Sequence, residues 1–245
     1  MTIKKKIHRF KHFRIITAES HKNKIICFHG LGGTPNHFWP MYKYLQKDIQ
    51  LINIGLDQIK GPTPEAKHIL QSLREMFNPD DIIGIIGHSA GTVFALAAKE
   101  YFPNAKVVVI NPSLLKSTKK LWVSNYLKRL PFFGKIIKKK LNNHFFKKGY
   151  TAQSIKLKAQ ERSRVNQSEF DQTRHWLKWS KELSLKPITQ PFLHVLGQKD
   201  KLISEDNQYK LFQAENLVIH PNGSHMIIIE EPKWTLSIII RLLNI

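Results

Sequence analysis

Six short apolar runs punctuate the chain, at 24–28, 50–54, 81–86, 106–110, 191–197 and 216–220. Each is bounded by charged or turn-forming residues and reads as a buried strand. The segments between the early runs read as helices. One is predicted at 36–45, a second starts near Pro64 with proline in its first turn, and a third covers 92–99. An N-terminal hairpin is predicted at about 7–17. Strands that alternate with helices imply a mostly parallel sheet with helices on both faces. Ligands of such sheets bind outside the carboxyl ends of the strands.

The third run leads straight into Gly87, His88, Ser89, Ala90 and Gly91, and a helix follows at once. A strand, Gly-x-Ser-x-Gly and a helix form the nucleophile-elbow arrangement. The turn forces the serine into a strained backbone and demands small neighbours, which Gly87 and Gly91 supply. A serine hydroxyl needs a base, and the base needs an orienting group. Asp200 lies just past the run at 191–197, where an orienting carboxylate belongs. Glu205 and Asp206 rank below it, because they fall at the next helix start. The run at 216–220 is followed by a turn-rich loop that ends in His225, the candidate base.

An oxyanion also needs backbone N–H donors. One belongs to Ala90, the residue after the nucleophile. The second is assigned to Leu31, in the loop His29, Gly30, Leu31, Gly32, Gly33 that follows the first run. No Gly-Lys-Ser/Thr follows this loop, so a Walker-type loop is excluded, and the Rossmann spacing is not met either. No metal-ligand spacing occurs among the 12 histidines, and no cofactor is expected.

With these motifs in this order, the chain resembles the α/β-hydrolases. The resemblance implies Ser89 as nucleophile, His225 as general base and acid, and Asp200 as its partner. It also implies a helical cap inserted before the penultimate strand. The expected division is a core of 1–113 and 187–245 and a cap of 114–186. Within the cap, Leu121, Trp122, Tyr126, Leu127 and Leu130 recur at helical spacing, as do Phe133, Ile136, Ile137 and Leu141. Pro131 separates the two, and a later helix is predicted near 168–183.

Charge adds the one clue to substrate. The net charge is +21, and it is unevenly placed. Residues 1–24 carry +7, the cap carries +15 and everything else carries −1. A lysine-rich proteome would charge the core as well, yet the core is neutral. A positive field over a pocket attracts anionic substrates. The expected substrate is an acyl ester on an acidic carrier protein, and the chain is similar to the small capped pimeloyl-carrier-protein methyl ester esterases. An acyl thioester on coenzyme A, cleaved by the same serine, is an alternative. A lipase or lysophospholipase working at an anionic membrane surface is another. Trp122, Lys128, Arg129, Lys138, Lys139 and Lys140 are the candidate docking residues. Nucleic acid is disfavoured: 31 lysines against 8 arginines suit no bidentate base reading.

The remaining features set the compartment. The lone cysteine, Cys27, falls in a predicted central strand and allows no internal disulfide. The basic start at 1–6 has no apolar stretch behind it, so no secretory leader is expected. The C-terminal apolar stretch is interrupted by Glu230, Glu231, Pro232 and Lys233. The reading is a cytoplasmic serine esterase.

Overall fold

The computed structural model describes residues 6–18, 21–56, 59, 62–113, 169–183, 192–202 and 217–244. The candidate docking residues Trp122, Lys128, Arg129, Lys138, Lys139 and Lys140 lie outside the described residues, as do the two helices predicted at 121–141 and the runner-up acids Glu205 and Asp206.

The strands are β1 (Lys6–Arg9), β2 (Arg14–Thr17), β3 (Asn23–Phe28), β4 (Ile49–Gly55), β5 (Ile82–His88), β6 (Lys106–Ile110), β7 (Leu193–Gly197) and β8 (Leu217–His220). They form one sheet in the order β1-β2-β4-β3-β5-β6-β7-β8. The β1–β2 and β2–β4 pairs are antiparallel, and every other pair is parallel. The helices are α1 (Ala66–Met76), α2 (Thr92–Ala98), α3 (Glu169–Leu183), α4 (Ile227–Glu230) and α5 (Pro232–Leu243).

Alternation along the central strands builds the two layers. In β3, Ile26 and Phe28 face one side, while Ile25 and Cys27 face the other. The first face packs with Ile85, Val107 and Val109 beneath α1, α2 and α3. The second packs with Ile86, Val108 and Ile110 beneath α4, α5 and the segment Pro35–Tyr44. Both faces are covered, so these strands are apolar at nearly every position. That segment is the helix expected at 36–45, but it is a 3₁₀ helix with Pro40 inside it. Proline lacks the amide that an α-helical bond would use there.

Helix α3 docks on the core. Trp176 and Trp179 are buried and meet the Phe94 ring edge-on. Four polar contacts fix it to the approach of α1. Thr63 Oγ1 lies 2.5 Å from His175 Nδ1, Lys178 Nζ donates to Thr63 O and Trp179 Nε1 donates to Pro64 O. The Glu182 carboxylate accepts from Ala66 N, an otherwise orphaned amide at the start of α1.

β3 and β5 are neighbours, yet their connections leave on opposite faces of the sheet. Pro35–Tyr44 covers one face and α2 the other. This is a topological switch point, where open parallel sheets bind ligands.

Candidate active site

The turn after β5 carries the serine. Ser89–Gly91 forms a single 3₁₀ turn, and α2 starts at Thr92. Ser89 has φ 53°, in the left-handed region that costs a non-glycine residue about 1–2 kcal/mol. Two close approaches explain the glycines around it. A Cβ on Gly91 would run into the backbone carbonyls of Phe28 and His29. A Cβ on Gly30 would lie 2.7 Å from Ser89 Cβ and 3.1 Å from its Oγ, so the loop after β3 passes directly against the serine. Gly91→Ala is therefore expected to cost about 1–3 kcal/mol, because rigid backbone must yield. Chemical denaturation measures it, and an unchanged midpoint would contradict the packing argument.

Asp200 and His225 reach the same point from the far strands. Asp200 follows β7, and His225 lies in the loop after β8. His225 Nδ1 is 2.7 Å from Asp200 Oδ2, and its Nε2 is 2.9 Å from Ser89 Oγ. A carboxylate only accepts, so Nδ1 carries the proton and Nε2 is free to accept from the serine hydroxyl. The His225 and Asp200 side chains are 2% and 1% exposed. Water therefore competes little for their hydrogen bonds. Leu202 N donates to the other oxygen, Asp200 Oδ1, at 2.8 Å. The structure thus brings together three side chains separated by 111 and 25 positions in the chain.

The loop of the proposed oxyanion donors is braced by His29. Leu56 N donates to His29 Nε2 at 3.1 Å, so the proton sits on Nδ1, which donates to Gly30 O at 2.8 Å. Gly33 N donates to the same carbonyl at 3.0 Å, closing a turn around Leu31 and Gly32. Leu31 follows Gly30 in this turn, and Ala90 is buried on the elbow itself. Trp176 of α3 touches the His29 ring edge-on, with centroids 5.8 Å apart.

Three polar residues around His225 had no role in the sequence reading. His88 Nε2 lies 2.8 Å from His225 O, and because a carbonyl only accepts, Nε2 carries the proton. Asn111 Nδ2 donates to both Ser224 O and His225 O. The buried Glu230 accepts from Ser224 Oγ at 2.6 Å and from Ser224 N at 3.1 Å. Of these signals, His88 was visible as part of the elbow motif and Glu230 as a charge within an apolar stretch. Neither shows its partner in one dimension.

Burial, and after it the nearby His225, drive the His88 pKa from 6.5 down to about 3. His88 Nδ1 meets no partner among the described residues, which fits a neutral ring. Between pH 6.5 and 3 the unfolded chain takes up a proton that the folded protein refuses. Stability therefore falls as pH drops through that window, by at most about 1.4 kcal/mol per pH unit, and the effect vanishes above it. His88→Gln keeps an N–H donor but cannot be protonated. Its stability is expected to fall less steeply under acid in urea titrations, and an identical pH slope would refute this account.

A switch-point sheet with a serine elbow, and a carboxylate and a histidine in the loops past later strands, matches one family. The profile of the alpha/beta hydrolase fold matches residues 23–232, and the chain belongs to that family. Among solved structures it is similar to an esterase from Exiguobacterium antarcticum, with TM-score 0.68 and 10% identity over 95% of this chain and 96% of that one. A thermophilic esterase from Thermogutta terrifontis gives TM-score 0.69 and 14% identity over 94% of both chains. A lipase-esterase related protein from Clostridium acetobutylicum ATCC 824 gives TM-score 0.65 and 17% identity, over 96% and 98%. At these identities the likeness is one of fold. No curated protein matches the chain in sequence. Among the described residues, no helix is long and apolar enough to cross a membrane.

Proposed function

We propose that the protein is a serine ester hydrolase that works through an acyl-enzyme on Ser89. The observation that carries this reading is the hydrogen-bonded relay from Ser89 Oγ to His225 Nε2 at 2.9 Å and from His225 Nδ1 to Asp200 at 2.7 Å. Ser89 Oγ attacks the acyl carbon while His225 Nε2 takes its proton. The amides of Leu31 and Ala90 hold the oxyanion. His225 then protonates the leaving alcohol as the C–O bond breaks, and later draws a proton from water to release the acid. Asp200 stabilises the imidazolium that forms in each step. Labelling by a fluorophosphonate tests the reading: one label per chain is expected, lost in Ser89→Ala. Labelling that survives this substitution would overturn it.

The preferred substrate is an acyl ester on an acidic carrier protein, such as an acyl-carrier-protein methyl ester. Its support is the placement of charge, +15 in 114–186 against −1 in the core outside the N-terminus. Trp122, Lys128, Arg129, Lys138, Lys139 and Lys140 are the proposed docking residues. The carrier-bound ester should be turned over with higher kcat/KM than the free ester, and the advantage should shrink as salt rises. Equal, salt-insensitive efficiency on both would remove the carrier.

A second reading, a lipase or thioesterase at an anionic membrane, has its own support. Arg14 pairs with Gly55, so the β1–β2 turn lies at the carboxyl end of β4, the same edge of the sheet as Ser89. That turn exposes Phe10, 42% accessible, between Arg9 and Lys11. An apolar ring between cations suits an anionic lipid surface. Sedimentation with anionic but not neutral vesicles would favour this reading over the carrier.

A further inference from the structure

We infer that Asn111 is a positioning residue that holds His225 and Asp200 in register, by tying the loops that carry them to the end of β6. This rests on the proposed roles of Ser89, His225 and Asp200. Asn111 is the first residue past β6 and is fully buried. The β6–β7 ladder ends at the pair Ile110 and Val195, and Asn111 N extends it by donating to Val195 O at 2.9 Å. Beyond that point the side chain takes over. Oδ1 accepts from Gly197 N at 2.8 Å, three residues before Asp200. Nδ2 donates to Ser224 O at 2.8 Å and to His225 O at 3.0 Å. Gly197 O in turn receives Asp200 N at 3.0 Å, so the turn that carries the carboxylate starts from the residue Asn111 holds.

The chemistry selects asparagine. One planar amide must offer an acceptor to an N–H and two donors to two carbonyls, and these partners also fix its orientation. An aspartate would set an acceptor against two carbonyls. An aliphatic residue would strip the buried Gly197 N of its acceptor and take one donor each from Ser224 O and His225 O. The backbone adds a second constraint, φ 43°, which asparagine tolerates better than most residues with a side chain. His88 Nε2 supplies another donor to the same His225 carbonyl, so that oxygen is gripped from the ends of both β5 and β6. The spacing between base and carboxylate is thus set by a rigid group rather than by the two loops. A misplacement of about 1 Å at a reacting centre costs on the order of 100-fold in rate.

Asn111→Gly tests this, because glycine accepts φ 43° and removes only the amide. On p-nitrophenyl butyrate, kcat should fall roughly 10- to 100-fold while KM stays within about threefold. The same substitution in an Asp200→Asn background should cost less than about threefold, since a pair already broken has no register to lose. A kcat within about twofold of wild type overturns the inference. So does an equal loss in both backgrounds, which marks a merely structural role. If Asn111→Gly does not fold, Asn111→Asp keeps the volume and the Gly197 contact and deletes the donor. It should show the same split, and wild-type kcat in it overturns the inference. Failure of the underlying reading is separate: it would appear as activity retained in Ser89→Ala.

Discussion

Ser89→Ala is expected to lower kcat on a simple ester by roughly 10⁶-fold, leaving the residual rate that an oxyanion site and binding can sustain. The size follows from the geometry. Ser89 Oγ faces His225 Nε2 at 2.9 Å, so removing the hydroxyl leaves the base with no nucleophile to activate at the acyl carbon. The fold should survive the change. Ser89 sits at φ 53°, and alanine keeps that strain. Ser89→Gly removes the hydroxyl and the strain together, so it should be about 1 kcal/mol more stable than Ser89→Ala while equally inactive. Active-site-titrated kinetics and thermal melts on the two variants check both statements. Ester hydrolysis within a hundredfold of wild type in either variant would sink the nucleophile assignment.

The fold was legible where the chain repeats one physical rule. Runs such as 24–28 and 106–110 are apolar at nearly every position because helices cover both faces of the sheet, so strand and burial read directly. The same feature hides which side chain faces which layer. Ile25 and Ile26 are equally apolar, yet they belong to opposite cores. Strand order is also invisible in the runs. β4 lies between β2 and β3, and only a crossover places β5 beside β3. Helix 168–183 was visible by spacing and grouped with the insert. Nothing in it told that Trp176 and Trp179 would be buried against Phe94 and that Trp176 would brace His29.

The candidate site divides in the same way. Ser89 and the 29–33 loop are local signals, because steric demands at a tight turn act on neighbours in sequence. Asp200 and His225 were placed by chain order past predicted strands. The groups that hold them were not readable, since their partners are remote. His88 acts on a carbonyl 137 residues away, and Asn111 on one 114 away. In the sequence, Asn111 and Pro112 look like an ordinary loop start. Glu230 looks like a break in an apolar stretch, but it is buried and anchors Ser224, next to the proposed base.

Asp200→Asn should lower kcat roughly 10⁴-fold, far more than loss of one charge at a distance would cost. The reason lies in the second oxygen. Leu202 N donates to Asp200 Oδ1 at 2.8 Å, and an asparagine would turn its carbonyl to that amide. Its NH₂ would then face His225 Nδ1, where Oδ2 now sits at 2.7 Å. A donor at that place forces Nδ1 to become the acceptor and moves the ring proton to Nε2. The nitrogen that should accept from Ser89 then carries a proton of its own, and the base is disabled with the geometry intact. Fluorophosphonate labelling of Ser89 should slow in parallel with ester turnover, while the melting temperature changes little. A loss below about tenfold would mean that Asp200 does not set the tautomer of His225, and the acid of the relay would have to be sought elsewhere.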